Sequence, residues 1–127
     1  MSDTYPAQLV ADFFKAKTAA YVSPIALKAL LDEGGSGVVV VDVRLPGPMR
    51  TWRIPGALDI PSAEMARRAD ELPREKLIVL YCWDVWCGLA AAAALPLLER
   101  GYRVKELHGG SAAWRMVNFP QESIDAG

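Results

Sequence analysis

The residue in this chain best placed for covalent chemistry is Cys82. It follows an apolar run, Leu77-Ile78-Val79-Leu80-Tyr81, and precedes a short segment, Trp83-Asp84-Val85-Trp86-Cys87, that leads into an alanine-rich stretch from Gly88 onward. The run suits a strand covered on both faces, and the alanines are the strongest helix formers available. Cys82 therefore stands at the C-terminal end of a strand, the end at which open α/β sheets bind ligands. The next helix aims its unpaired N–H groups and positive dipole back at the loop, a field that favours thiolate over thiol. The chemistry implied is nucleophilic. The competing reading is an inert core cysteine, because free cysteine is among the most commonly buried residue types.

Other chemistries fit poorly. Two cysteines and His108 fall short of the four ligands of a zinc site. Four residues separate the cysteines, whereas a thioredoxin-like motif has two. Gly34-Gly35-Ser36-Gly37 precedes a β-branched run, the wrong side for a phosphate-binding loop. Neither metal nor cofactor is expected. Residues 77–98 are long enough to span a bilayer, but Asp84 within a span costs about 2.5–3.5 kcal/mol, Pro96 interrupts the segment, and α/β patterning flanks it.

The elements that must hold Cys82 are legible along the chain. At 127 residues the protein is one domain with a genuine core. Its 14 basic and 15 acidic residues form no basic stripe, so neither nucleic acid nor membrane is an expected partner. The N-terminus lacks the basic flank and apolar stretch of a secretory leader, and two cysteines fit a reducing compartment, so a cytoplasmic location is expected. Leu9, Val10, Phe13 and Phe14 are spaced as an amphipathic helix over residues 6–17, expected to lie against the domain with its Phe pair packed. A short strand over 20–22 leads to Ser23-Pro24, an N-cap and N1 pair, and a helix to about residue 33.

Residues 38–43 are β-branched and predict a central strand ending at Asp42 and Arg44. The prolines and glycine of residues 45–52 predict a loop. A short strand over 57–60 and a brief helix from Ser62 to about residue 69 follow. Gly101 caps the alanine helix, residues 102–107 form another strand, and Gly109-Gly110 opens a last helix carrying Trp114. Pro96 should kink or shorten the alanine helix. Alternating strands and helices predict an α/β fold, a mostly parallel sheet of about five strands with helices on both faces.

Four blocks in this order resemble the rhodanese-like domain, the sulfurtransferase module: Val41-Asp42-Val43-Arg44; Ile54-Pro55-Gly56-Ala57 with Ile60-Pro61; Tyr81-Cys82 with the loop and a helix ending Gly101-Tyr102; and Leu107, Gly109, Gly110 and Trp114. The resemblance covers residues 23–114 and implies a three-layer rhodanese-like core over 21–118, an N-terminal helical extension over 1–20 and a tail over 119–127. It further implies that Cys82 carries sulfur as a persulfide, taken from a sulfane donor and passed to a thiol or protein acceptor. Trp83, Asp84, Val85, Trp86, Cys87 and Gly88 match the active loop, whose backbone amides would cradle the added charge. Asp42 and Arg44 match a pair that braces the sheet end and loop. Arg53 stands where histidine is common, as a further supporting residue.

The loop departs from the usual pattern in having no cation. Asp84 would repel an anionic donor and raise the Cys82 pKa, which argues against thiosulfate. The missing arginine also argues against a phosphatase. With tryptophan after the nucleophile and a second cysteine five positions on, the loop resembles a smaller rhodanese-like subset, in which Cys87 is the candidate resolving thiol. Two alternatives stand beside the sulfurtransferase: a non-catalytic binding module that docks partners on Trp83 and Trp86, and a thiol redox sensor using Cys82 and Cys87.

Overall fold

The computed structural model describes residues 4–124. Five strands form one parallel sheet: β1 (Tyr21–Val22), β2 (Val38–Asp42), β4 (Leu58–Asp59), β5 (Leu77–Tyr81) and β6 (Arg103–Leu107), in the order β1-β6-β5-β2-β4. Two further strands, β3 (Trp52–Arg53) and β7 (Glu122–Ser123), make a small antiparallel ribbon. The helices are α1 (Ala7–Ala20), α2 (Pro24–Asp32), α3 (Met65–Arg68), α4 (Leu89–Glu99) and α5 (Gly110–Met116).

β2 and β5 lie side by side at the centre, Val38 opposite Leu77 through Asp42 opposite Tyr81. Successive residues of a strand face opposite ways, so each supplies two cores. Ile78 and Leu80 face Met65 and Ala69 of the α3 region and Ala90, Ala93 and Leu97 of α4. Val79 and Tyr81 face Leu27 of α2 and Trp114 of α5. The continuous apolar runs of these strands are thus explained by burial on both sides. At the start of α2 the Ser23 hydroxyl accepts the Ala26 N–H at 3.0 Å, as an N-cap should.

Several expectations are corrected. α1 buries none of its residues, and Leu9, Phe13 and Phe14 are exposed, the two Phe rings packing only edge to edge on each other. The helix is anchored mainly through its C-terminal end, where Lys105 Nζ donates to the Ala19 carbonyl at 2.6 Å. Pro96 does not shorten α4, which continues to Glu99. Pro96 lies in the last turns, where the one donor it lacks is a small loss, and its carbonyl accepts from Arg100 at 2.7 Å. The segment after Ser62 is a short α3 flanked by 3₁₀ turns over Ser62–Glu64 and Ala69–Glu71. Trp52, expected in loop, opens β3, which pairs with β7 in the expected tail.

Candidate active site

β5, the loop after it and the start of α4 bring the expected chemistry to the C-terminal edge of the sheet. Cys82 and Cys87 are joined as a disulfide, with Cα atoms 6.1 Å apart, within the usual span for such a bridge. Asp84 accounts for the return of the chain. Its carbonyl accepts the Cys87 N–H at 3.3 Å and its carboxylate accepts the Trp86 N–H at 3.0 Å, a β-turn over residues 84–87 with aspartate at its favoured first position. The carboxylate that looked, in sequence, like a repulsive charge thus shapes the loop. Cys82 is 2% exposed, while Cys87 is half-buried.

The loop's amides divide into two sets. Those of Trp86 and Cys87 are taken by Asp84, while those of Trp83, Asp84, Val85 and Gly88 donate to no group among the described residues. Gly88 is the N-cap of α4 and no side chain caps that helix, so its first-turn N–H groups and its dipole act on the adjoining cysteine.

The grip on the loop comes from α5. Ser111 N–H donates to the Cys82 carbonyl and Ala112 N–H to the Trp83 carbonyl, both at 2.9 Å, and Ser111 Oγ donates to the same Trp83 oxygen at 3.1 Å. Gly110, at φ 61°, permits this approach: a Cβ there would lie 2.5 Å from the Cys82 oxygen and 3.0 Å from the Asp84 nitrogen. In sequence, Gly109-Gly110 reads as a helix start and as part of the rhodanese-like resemblance, with no contact to the loop implied. The signal available was the glycine pair itself, an indication of close backbone approach.

Asp42 and Arg44 form a fully buried ion pair behind the loop. Arg44 Nε and Nη2 donate to the Asp42 carboxylate at 2.9 and 2.7 Å, and Nη2 also reaches the Trp52 carbonyl at 2.6 Å. The guanidinium lies 4.6 Å from the Trp83 ring, 5.3 Å from Tyr81 and 5.7 Å from Trp52, while its Nη1 is buried without a partner. The pair therefore carries the first loop tryptophan on a cationic platform.

Arg50, which sequence reasoning missed, extends the network by donating to both oxygens of Asp59 at 2.8 Å and approaching Asp42 at 3.4 Å. The Arg50 hydrogen bonds, opposed by partial burial, hold the Asp59 carboxyl below its ordinary range. Burial, with the Asp42 charge, pushes the Tyr81 phenol well up, so its hydroxyl stays neutral and accepts the Ile54 N–H at 3.1 Å. Arg53 lies on the β3–β7 ribbon, paired with Glu122 at 3.1 Å.

Beside the loop is a cleft of about 400 Å³ walled by Trp52, Trp83, Asp84, Ser111, Ala112, Arg115 and Met116. Trp86, at the loop tip, is 88% exposed, and Val85 beside it is also exposed. Arg115 had not been singled out from sequence, since a lone basic residue near a helix end carries no signal of its own.

The family model described as a rhodanese-like domain matches residues 23–116. An HTH-type transcriptional regulator of Mycobacterium tuberculosis is 39% identical over 83 residues, 65% of this chain; the chain spans only 37% of that regulator's length. A sulfurtransferase of Allochromatium vinosum is 34% identical over 84 residues, 65% of this chain and 77% of its own. The crystal structure of a full-length protein from Lactobacillus plantarum superposes with a TM-score of 0.88 at 27% identity, covering 93% of this chain and 99% of that one.

Proposed function

This chain belongs to the rhodanese-like domain family, and from that membership we propose that it is a sulfurtransferase working through Cys82, with Cys87 as the resolving thiol. The observation that carries the reading is the pairing of the two cysteines at the end of β5, which brings the Cys87 sulfur to the Cys82 sulfur itself.

The cycle starts from the reduced pair. The Cys82 thiolate, favoured by the uncapped N-terminus of α4, attacks the terminal sulfur of a persulfide or polysulfide donor. A Cys82–sulfur bond forms, and the donor's own S–S bond breaks as its thiolate leaves. The unpartnered amides of Trp83, Asp84, Val85 and Gly88 are the donors available to the extra charge. Two exits follow. An external thiolate takes the outer sulfur and Cys82 leaves as thiolate; or the Cys87 thiolate attacks the inner Cys82 sulfur, expelling hydrosulfide and closing the disulfide, which a dithiol reductant then reopens. With Asp84 in the loop and no cation, a protein-borne persulfide suits the site better than thiosulfate.

Incubation of the reduced protein with polysulfide should add one sulfur, read by intact mass. Cys82→Ser should abolish the adduct and Cys87→Ser should prolong it. Failure of every donor to add sulfur to Cys82 would remove the enzymatic reading. The exposed Trp86 and Val85 favour, as a second reading, a docking module of the same fold. An inert Cys82 together with a pull-down lost on Trp86→Ala would select it.

A further inference from the structure

The cleft beside the loop carries one charge of each sign that is in no ion pair among the described residues. The guanidinium of Arg115, on the last turn of α5, makes no hydrogen bond or ion pair among the described residues, while its backbone carbonyl accepts the Asn118 N–H at 2.9 Å. Asp84 has only the Trp86 N–H on its carboxylate. Although both line the same space, no ion pair joins them, so each is left to meet a ligand. The rest of the wall is aromatic or apolar, from Trp52, Trp83, Ala112 and Met116, apart from Ser111, whose hydroxyl donates to the Trp83 carbonyl. Trp83 and Trp52 are backed by the buried Arg44 guanidinium at 4.6 and 5.7 Å, which holds these two walls in place before any ligand arrives. Separated opposite charges between aromatic walls match a small dipolar ion. A simple anion would meet the Asp84 carboxylate, and a simple cation the Arg115 guanidinium.

We infer that this cleft binds a small α-amino acid thiol as the sulfur acceptor, its carboxylate on Arg115, its ammonium on Asp84 and its side chain between the tryptophans. The inference rests on the sulfurtransferase reading for its chemical step, but the binding does not. In that step the acceptor's thiol loses its proton to solvent, and its thiolate attacks the outer sulfur of the Cys82 persulfide. A bond forms between the two, the bond from that sulfur to Cys82 breaks, and Cys82 leaves as thiolate. The product is the amino acid persulfide, with no external oxidant or reductant consumed. Trp83 and Asp84, two walls of the cleft, directly follow Cys82 in the chain.

The test separates binding from chemistry by using S-methylcysteine, which has both charges and no reactive thiol. The reduced protein is titrated with it while the indole N–H resonances of Trp52 and Trp83 are followed by NMR. Saturable shifts are expected. 3-(Methylthio)propionate, lacking the ammonium, and 2-(methylthio)ethylamine, lacking the carboxylate, should each bind about fivefold more weakly, the scale of one solvent-accessible ion pair. Arg115→Gln should erase the advantage of S-methylcysteine over the amine, and Asp84→Asn, which keeps the turn's acceptor oxygen, its advantage over the acid. Equal binding of all three compounds, or no saturable shift, would overturn the inference. Saturable, charge-selective binding by a protein whose Cys82 never gains sulfur would retain the site and discard the sulfurtransferase reading.

Discussion

Replacing Gly110 with alanine tests whether α5 holds the nucleophile's loop in place. Two costs are separable. The backbone at φ 61° is left-handed, where an L side chain costs about 1–2 kcal/mol. The added Cβ would also sit 2.5 Å from the Cys82 carbonyl oxygen, half an ångström inside the 3.0 Å that real Cβ atoms respect, and the obstacle is backbone on both sides. Relieving it moves Cys82 away from Ser111 and loosens a 2.9 Å hydrogen bond worth about 1 kcal/mol. The total is about 2–3 kcal/mol, which for a domain of this size lowers Tm on the order of 10 °C.

Gly56 provides the control, with φ 81° and nothing within 4 Å of its Cβ position, so Gly56→Ala should show the backbone cost alone. Calorimetric melting of both variants gives the comparison. Alkylation of the reduced proteins by iodoacetamide adds a local readout, since only Gly110→Ala should change the rate at Cys82. If Gly110→Ala melts no lower than Gly56→Ala and alkylates like the parent, α5 does not govern the loop.

Asp84→Ala should slow reclosure of the reduced Cys82–Cys87 pair severalfold while Asp84→Asn leaves it near the parent rate, measured by thiol trapping after peroxide treatment, because asparagine keeps the oxygen that accepts the Trp86 N–H. Arg44→Ala should destabilise by about 3–5 kcal/mol in urea unfolding, since it strands the buried Asp42 carboxylate with the backbone N–H of residue 44 at 3.0 Å and Arg50 at 3.4 Å in place of the bidentate guanidinium. Glu106 sits in a groove with Ala91, Ala94 and Leu98, and burial raises its carboxyl pKa. Because the folded value is raised, the unfolded chain gives up this proton first. The resulting penalty grows as pH rises through the ordinary glutamate range near about 4.3 and is complete above the folded value. Glu106→Gln should therefore raise Tm at pH 7, and the gain should vanish below about pH 4.

Much of this protein follows from local sequence. The β-branched and aliphatic composition of residues 38–43 and 77–81 specifies strands buried on both faces, and Ser23-Pro24 marks a helix start, because those preferences act within a few residues. The position of Cys82 at a strand's end ahead of a helix follows in the same way. Three features required the folded chain. Asp84 reads in sequence as a charge beside a nucleophile; only the turn shows its carboxylate engaged by Trp86. Gly110 reads as a helix start; only the packing of α5 on the loop, 28 residues away in sequence, turns the missing Cβ into a requirement. Arg115 and Asp84 are distant in the chain and share a cleft because parallel strands deliver their loops to one edge of the sheet. Strand and helix preferences are short-range quantities. Which side chains share a space is set by long-range packing, and that the tertiary structure alone decided.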